Sequence, residues 1–151
     1  MALDDDIRIL SGVRLFEGFT AEQLRLLAFG AEQVTLPNGR RLFREDDEAD
    51  AAYVVVRGSI SLFREDDDER RPVAIAGTGA MIGELALIAD TRRLTSAEAR
   101  ADTELLRLSR RTFRRILEEY PDTAAVLLRR IQADFLALIE QIEGLAPRFG
   151  E

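Results

Sequence analysis

Residues 81–99 read MIGELALIADTRRLTSAEA, an apolar turn that opens on a glycine and a carboxylate and is followed by an arginine. Gly83 has no Cβ, so the backbone can approach a ligand closely at this point. The N–H groups that begin the next turn have no helical partners and can face an anion. Arg93 offers a fork of donors that matches two phosphate oxygens, whereas an ionised Glu84 accepts hydrogen bonds only and suits a sugar hydroxyl. This combination predicts a pocket for a phosphate attached to a ribose.

The segment resembles the phosphate-binding cassette of the cyclic nucleotide-binding domain family. The family pattern is Gly-Glu-hydrophobic-Ala-Leu, then a short loop, then an arginine followed by small or hydroxyl-bearing residues. Residues 83–88 read GELALI and match without a gap, and Arg93 falls at the arginine position. Two further family phrases occur at residues 38–45 and 53–60, and the resemblance extends over residues 12–140. It implies a β-roll fold and a regulatory function.

The resemblance also implies roles for individual residues of the cassette, here residues 83–95. Glu84 would hold the ribose 2′-hydroxyl, and Arg93 would hold the cyclic phosphate. Backbone N–H groups around Leu85, Ala86 and Leu94 would complete the phosphate cradle. The predicted ligand-binding residues are Gly83, Glu84, Leu85, Ala86, Arg93, Leu94 and Thr95. The expected ligand is a cyclic nucleotide, cAMP rather than cGMP.

Two neighbours of Arg93 bear on this interpretation. Leu94 stands where the family has a small or hydroxyl-bearing residue. This departure bears on which purine base the pocket prefers and on whether the pocket binds a nucleotide. It favours an alternative in which the chain keeps the fold as a ligand-free dimerisation or interaction module with a degenerate pocket. Arg92 stands where the family often has proline, and it is a competing candidate for the phosphate.

The composition excludes several classes of chemistry. The chain has no Cys and no His, and all 21 of its cationic residues are Arg. It therefore lacks thiolate and imidazole metal ligands, disulfides and a lysine for Schiff-base chemistry. An enzyme on a β-barrel would have only carboxylates, Ser, Thr, Tyr and Arg, so we predict no enzyme activity, no metal and no cofactor. The net charge of −7 opposes binding to nucleic-acid phosphates, and we predict no direct DNA binding.

The length of 151 residues predicts one domain, residues 1–151, large enough to bury a core without disulfides or metals. The acidic N-terminus lacks the apolar region of a signal peptide, and no apolar run is long enough to span a membrane. We therefore expect a cytoplasmic, stand-alone module, with no room for a helix-turn-helix DNA reader, a kinase or a channel pore.

The period of the apolar residues predicts a mainly β fold with an N-terminal helix and two C-terminal helices. Thr20 has the chemistry of an N-cap for a helix that ends at Gly30, after a short helix over residues 4–10. Between residues 31 and 109 the period changes to two, which predicts a jelly-roll-like β-roll. The predicted strands are 32–36, 41–44, 51–56, 59–64, 73–77, 95–101 and 104–109. The C-terminal helices occupy residues 110–146.

The last helix, expected between Pro121 and Pro147, carries an apolar stripe whose residues recur in steps of four and three. Such a heptad pattern is typical of a helix that pairs with a second copy, and it predicts a homodimer. The alternative is a helix that packs flat on its own roll. The predicted dimer stripe contains Leu128, Ile131, Phe135, Leu138 and Ile142. The resemblance implies that this helix can both dimerise and cover the ligand, so we expect a signal through its movement to an unidentified partner or a second subunit.

Overall fold

The computed structural model of the protein describes residues 2–144, which form a β-roll flanked by helices at both ends. Among these residues, helices precede and follow the strands: α1 (Ala2–Ser11), α2 (Ala21–Gly30), α3 (Arg110–Glu119) and α4 (Pro121–Glu143). Short 3₁₀ turns cover Arg14–Phe16 and Glu84–Leu87. The strands are β1 (Glu32–Leu36), β2 (Arg41–Phe43), β3 (Glu48–Ala49), β4 (Ala51–Arg57), β5 (Ile60–Asp66), β6 (Glu69–Ala76), β7 (Met81–Ile82), β8 (Thr91–Arg92), β9 (Ser96–Ala99) and β10 (Thr103–Ser109).

Within this part of the chain, the strands form two antiparallel sheets and one short antiparallel pair. The first sheet has the order β1-β10-β4-β7, the second has the order β2-β9-β5-β6, and β3 pairs with β8. Side chains alternate across a strand, so one face of each sheet can point into the roll. Val55 and Leu105 of the first sheet share a core cluster with Ile60 and Ala97 of the second. The predicted mainly β roll with flanking helices is confirmed.

The helices cover the other face of the first sheet. Val54 of β4 precedes the roll-facing Val55, and Leu106 of β10 follows the roll-facing Leu105. Val54 and Leu106 therefore point to the opposite face, where they belong to a second core cluster. All four helices contribute to this cluster, through residues that include Leu10, Leu27, Phe113, Ile116, Leu127 and Ile131. Burying each large side chain of this kind contributes about 1.5–3 kcal/mol, which fixes α3 and α4 on the sheet.

The N-terminus of α2 is closed by the residue that the sequence predicts. The Thr20 hydroxyl accepts a hydrogen bond from the N–H of Gln23 (3.1 Å), and the Gln23 side chain accepts one from the N–H of Thr20 (2.9 Å). This reciprocal capping box pairs two N–H groups that have no partner within the helix. Gln23 also donates to the hydroxyl of Thr123 (3.1 Å), which links α2 to α4.

One strand begins earlier than the period of the apolar residues predicts. The predicted strand 73–77 corresponds to β6, which starts at Glu69. Asp67 and Asp68 have positive φ and form the turn, and Asp66 stands opposite Glu69 in the ladder. The first residues of β6 are charged and carry no apolar alternation, so the sequence pattern places its start too late.

The predicted break between the C-terminal helices is confirmed. α3 ends at Glu119, and Pro121 opens α4, a position where the missing N–H of proline has no cost. Leu145 and Pro147, which the sequence assigns to the end of the last helix, lie outside the described residues. Along residues 2–144, no helix combines the length and the apolar character needed to cross a membrane.

Candidate functional site

Gly83 begins the candidate site, between β7 and the 3₁₀ turn Glu84–Leu87. Its φ is +74°, in the left-handed region that glycine adopts without strain. A Cβ at this position would also fall well inside van der Waals contact with Nη1 of Arg93. The close approach that the sequence predicts at this glycine is therefore made by the protein's own arginine.

Arg93 lies in the short segment between β8 and β9, and contacts on several sides hold it in place. Its main-chain N–H donates to the carbonyl of Asp47 (2.8 Å), and its Nη2 donates to the carbonyl of Ala51 (2.7 Å). The guanidinium carbon lies 4.2 Å from the ring centroid of Phe43 and 5.7 Å from that of Tyr53. Cation–π contacts of this kind orient a guanidinium but leave its charge intact.

The guanidinium of Arg93 forms no ion pair within the described part of the protein, although the more distant carboxylates of Asp50 and Asp47 act on its charge. The residue is only 7% exposed, and burial lowers the pKa of its guanidinium. Its Nε has no hydrogen-bond partner, and within residues 2–144 no carboxylate forms an ion pair with it. Because an unpaired buried charge is costly, this arrangement suits an anion that is supplied from outside the protein.

Glu84 is partly buried at the same pocket, and it does not pair with Arg93. Burial raises the pKa of the Glu84 carboxyl to about 7, and the negative charge of Asp134 on α4 acts in the same direction. At neutral pH the carboxyl is therefore near the midpoint between an anion that only accepts hydrogen bonds and an acid that also donates.

These side chains face one pocket of about 540 Å³, a volume that includes its open mouth. The cassette forms one wall, Phe43 and Leu62 of the second sheet form another, and α4 contributes Phe135 and Leu138. The lining is largely apolar with a few polar groups, as in most small-molecule sites. All the predicted ligand-binding residues meet there, namely Gly83, Glu84, Leu85, Ala86, Arg93, Leu94 and Thr95.

The backbone of the 3₁₀ turn differs from its predicted role in one respect. The N–H of Ala86 donates to the carbonyl of Gly83 (3.1 Å), so in this structure it is engaged within the turn and not directed at a phosphate. The bond follows from 3₁₀ geometry, in which an N–H pairs with the carbonyl three residues earlier. The turn would have to open before Ala86 could take part in a phosphate cradle.

Arg92, the competing arginine, borders the pocket but directs its guanidinium elsewhere. It is exposed, and its Nη1 donates to the main-chain carbonyl of Asp46 (2.9 Å). Successive residues of an extended segment project to opposite sides, so Arg92 and Arg93 diverge. The structure favours Arg93 as the arginine available to a bound anion.

The residues of the predicted dimer stripe have different surroundings in the structure. Ile131 is fully buried in the core of its own chain, so its assignment to a contact between subunits is wrong. The reason is that Leu127 and Ile131, one helical turn apart, pack together in the cluster beneath α4. Phe135 and Leu138 line the pocket, whereas Leu128 is 44% exposed.

Several residues shape the site in a role that no local sequence pattern predicts. Phe43 of β2 and Tyr53 of β4 hold the guanidinium of Arg93, although they lie far from it in the chain. Asp134 acts on Glu84 from α4. The apolar period of β4 predicts a strand around Tyr53, but only the folded roll shows which cation its ring contacts.

The chain matches known proteins over most of its length. A family model described as the cyclic nucleotide-binding domain matches residues 33–120, more than half of the chain. The cyclic AMP receptor protein of Thermus thermophilus is 32% identical over 134 residues, which cover 85% of this chain and 62% of that protein. The chain thus spans less than two thirds of this curated relative, and it spans at most 11% of the patatin-like phospholipases that it also matches.

Solved structures agree with the family match. A cyclic nucleotide-binding-like protein of Brucella abortus is 60% identical, with a TM-score of 0.69 over 76% of this chain and 99% of that one. The regulatory domain of Toxoplasma gondii PKA, solved with cAMP, is 27% identical, with a TM-score of 0.71 over 76% of this chain and 44% of that one. The cassette and these likenesses lead to the same assignment. The chain belongs to the cyclic nucleotide-binding domain family.

Proposed function

We propose that this protein is a regulatory module that binds a cyclic nucleotide, cAMP in preference to cGMP, and signals through its C-terminal helices. The observation that carries the proposal is the guanidinium of Arg93, which is buried at the wall of the pocket without an ion pair among the described residues and with its Nε unbonded. A cyclic phosphate would supply a counter-charge through oxygens that match the guanidinium fork. The Thermus relative is named for cyclic AMP and the Toxoplasma structure contains cAMP, which supports cAMP as the ligand.

The two charged groups of the pocket would bind different parts of this ligand. Arg93 would take the phosphate, and ionised Glu84 would accept a hydrogen bond from the ribose 2′-hydroxyl. The N–H groups of Leu85 and Leu94 would add backbone donors to the phosphate. Ala86 would join them once its bond to the neighbouring glycine carbonyl opens.

Helix α4 is the element that would report binding. Phe135 and Leu138 line the pocket, and the charge of Asp134 beside them adds to burial in raising the pKa of Glu84. A ligand in the pocket would contact these residues, and a ligand shifts a conformational equilibrium only through such differential contacts. The signal would leave the module as a change in the position of α4, toward a partner protein or a second subunit.

A homodimer would use the face of α4 that its own roll leaves open. Leu128 and Leu136 are 44% and 61% exposed, and their spacing brings them to one side of the helix. Ile142 extends the stripe toward the C-terminal end of α4, and Phe135 and Leu138 flank it. The homodimer proposal therefore rests on these side chains and no longer on the buried isoleucine at position 131.

Calorimetric titration of the protein with cAMP, cGMP and a cyclic dinucleotide tests the proposal. We expect saturable heat with cAMP and weaker binding of cGMP. At about 100 times its Kd, cAMP should raise the free energy of unfolding by about 2.7 kcal/mol. Absence of both heat and stabilisation with all three nucleotides would contradict the proposal.

One observation favours a second candidate function, a ligand-free dimerisation or interaction module. Leu94 lines the pocket with an aliphatic side chain, and the N–H of Ala86 is already engaged. Such a module would give no heat with any nucleotide and would still associate through α4. Neither candidate is an enzyme, so a phosphodiesterase assay with cAMP should show no turnover.

A further inference from the structure

Arg110, the first residue of α3, extends its side chain from that helix to the back of the cassette. Its Nη1 donates to the carbonyl of Ala89 (2.6 Å), with longer contacts to the carbonyls of Ala49 (3.3 Å) and Ala86 (3.5 Å). Its Nη2 forms an ion pair with Asp90 (2.6 Å). One guanidinium therefore joins the start of α3 to two segments that surround the pocket.

The segments that Arg110 contacts are the ones that position the binding residues. Ala86 lies in the 3₁₀ turn of the cassette, and the loop that contains Ala89 leads through β8 to Arg93. Ala49 belongs to β3, which pairs with β8. Ala49 and Ala86 also line the pocket, so the side chain of Arg110 contacts the outer side of the pocket wall.

The carbonyl contacts, more than the ion pair, account for the strength of this connection. The side chain of Asp90 is 97% exposed, and an ion pair with so exposed a partner contributes little. Carbonyls at the end of a helical turn lack partners within the turn and carry partial negative charge, which a cation satisfies. The side chain of Arg110 is only 18% exposed, so its charge would be costly to leave without these carbonyls.

The main chain of Arg110 is fixed as firmly as its side chain. Its N–H donates to the carbonyl of Asp50 (2.8 Å) at the junction of β10 and α3. Farther along α3, Phe113 shares a core cluster with Leu127 and Ile131 of α4. A displacement of the first turn of α3 would therefore reach α4 through close-packed side chains.

We propose that Arg110 is a positioning residue that couples the cassette to the C-terminal helices. When a ligand draws the 3₁₀ turn toward its phosphate, the guanidinium of Arg110 follows the carbonyl of Ala89, two residues after that turn, and shifts the start of α3. Arg93 contacts the cassette from inside the pocket, and Arg110 contacts it from behind. The inference rests on the proposed function for the identity of the ligand, while the contacts themselves stand without it.

Hydrogen exchange on the full chain, with and without saturating cAMP, tests this coupling. The variants are Arg110→Ala and, as a matched control, Arg111→Ala, which removes the exposed arginine beside it. In the parent protein and the control, cAMP should change the protection of residues 110–143 by about fivefold or more, the usual size of allosteric coupling. In Arg110→Ala, cAMP should still protect residues 84–92, but the change in α3 and α4 should fall below about twofold.

A ligand-free comparison separates this inference from the proposed function. Gly83→Ala perturbs the cassette directly, because the added Cβ meets the guanidinium of Arg93. The perturbation should alter exchange in α3 when Arg110 is present, and it should not do so when Gly83→Ala is combined with Arg110→Ala. A parent protein that binds no nucleotide would overturn the proposed function, and this comparison would still decide the role of Arg110.

The inference would be overturned if cAMP, or the Gly83→Ala substitution, changed hydrogen exchange in α3 equally with and without the Arg110 side chain. If Arg110→Ala fails to melt cooperatively, Arg110→Lys takes its place in both comparisons. A lysine keeps the charge but has no rigid fork to contact two segments at once. The change in hydrogen exchange of α3 should therefore fall by at least about half. Full transmission in Arg110→Lys would contradict the inference in that case.

Discussion

Arg93 and Glu84 share one pocket, yet neither neutralises the other. The guanidinium of Arg93 donates to the carbonyl of Ala51 and lies over an aromatic ring, whereas burial and Asp134 determine the pKa of Glu84. An arginine paired with a neighbouring carboxylate would have little to gain from a ligand anion. Because the two groups remain separate, each is available to a different part of a phosphorylated sugar.

Glu84→Gln should discriminate between ligands with and without a 2′-hydroxyl. A hydrogen bond to a charged group contributes about 1.5–3 kcal/mol, so the variant should bind cAMP about 10- to 150-fold more weakly. With 2′-deoxy-cAMP the parent and the variant should differ little, because the contact is already absent. Calorimetry on both ligands measures the two differences, and equal losses would show that Glu84 has a structural role only.

Glu84 should also make stability depend on pH in a particular direction. Its pKa rises from 4.5 to about 7 on folding, so the folded protein binds more protons between these values and its stability falls as pH increases through them. Between pH 4.5 and pH 8 the free energy of unfolding of the parent should fall by up to about 3 kcal/mol relative to that of Glu84→Gln. Urea unfolding at several pH values measures this difference, and parallel profiles for the two proteins would argue against the raised pKa.

At the level of elements, one arginine near the middle of α4 joins this helix to the N-terminal part of the chain. Arg130 donates through Nη1 to the carbonyls of Leu15 (3.0 Å) and Glu17 (2.6 Å), at the end of the 3₁₀ turn Arg14–Phe16. These bonds do not involve the pocket. The bonds of Arg130 are therefore an attachment of α4 that is independent of ligand, whereas a ligand would alter the surroundings of Phe135 and Leu138.

Arg130→Ala should loosen α4 without affecting the pocket directly. Loss of hydrogen bonds from a charged donor predicts a decrease of about 1–3 kcal/mol in the free energy of unfolding, with faster amide exchange in α4. Arg129→Ala is the matched control, because Arg129 is exposed on the same helix. Chemical denaturation and hydrogen exchange measure the two effects. Identical behaviour of the two variants would mean that Arg130 does not anchor the helix.

At the level of the whole molecule, the face of α4 that carries Leu136 is the proposed contact with a second copy. Leu136→Glu would place a charge in an apolar interface and should convert a dimer into a monomer that still melts near the parent temperature. Ile75→Glu is the control, since Ile75 and Leu136 are both 61% exposed but lie on different elements. Light scattering reports the masses. A parent that is already monomeric at high micromolar concentration would disprove the dimer.

The sequence predicts those parts of the molecule in which the interacting residues lie close together in the chain. The cap at Thr20 and the pattern from Gly83 to Arg93 are local, and both could be recognised from residue types and spacing. The rings that hold Arg93 lie on distant strands, and no local pattern indicates them. The heptad stripe correctly indicates an apolar face around Ile131, but the period of a helix does not specify whether its own chain or another copy covers that face.

Calorimetric titration of Arg93→Ala with cAMP, beside Arg92→Ala, is the most direct test of the buried guanidinium as the phosphate ligand. Removing a charge-assisted fork from a partly desolvated pocket should cost about 2–5 kcal/mol of binding, more than about tenfold in affinity. Arg92 donates to the carbonyl of Asp46 at the surface, so its loss should change affinity by less than about threefold. Both variants should melt cooperatively. Unchanged affinity in Arg93→Ala, or a larger loss in Arg92→Ala, would contradict the assignment of Arg93.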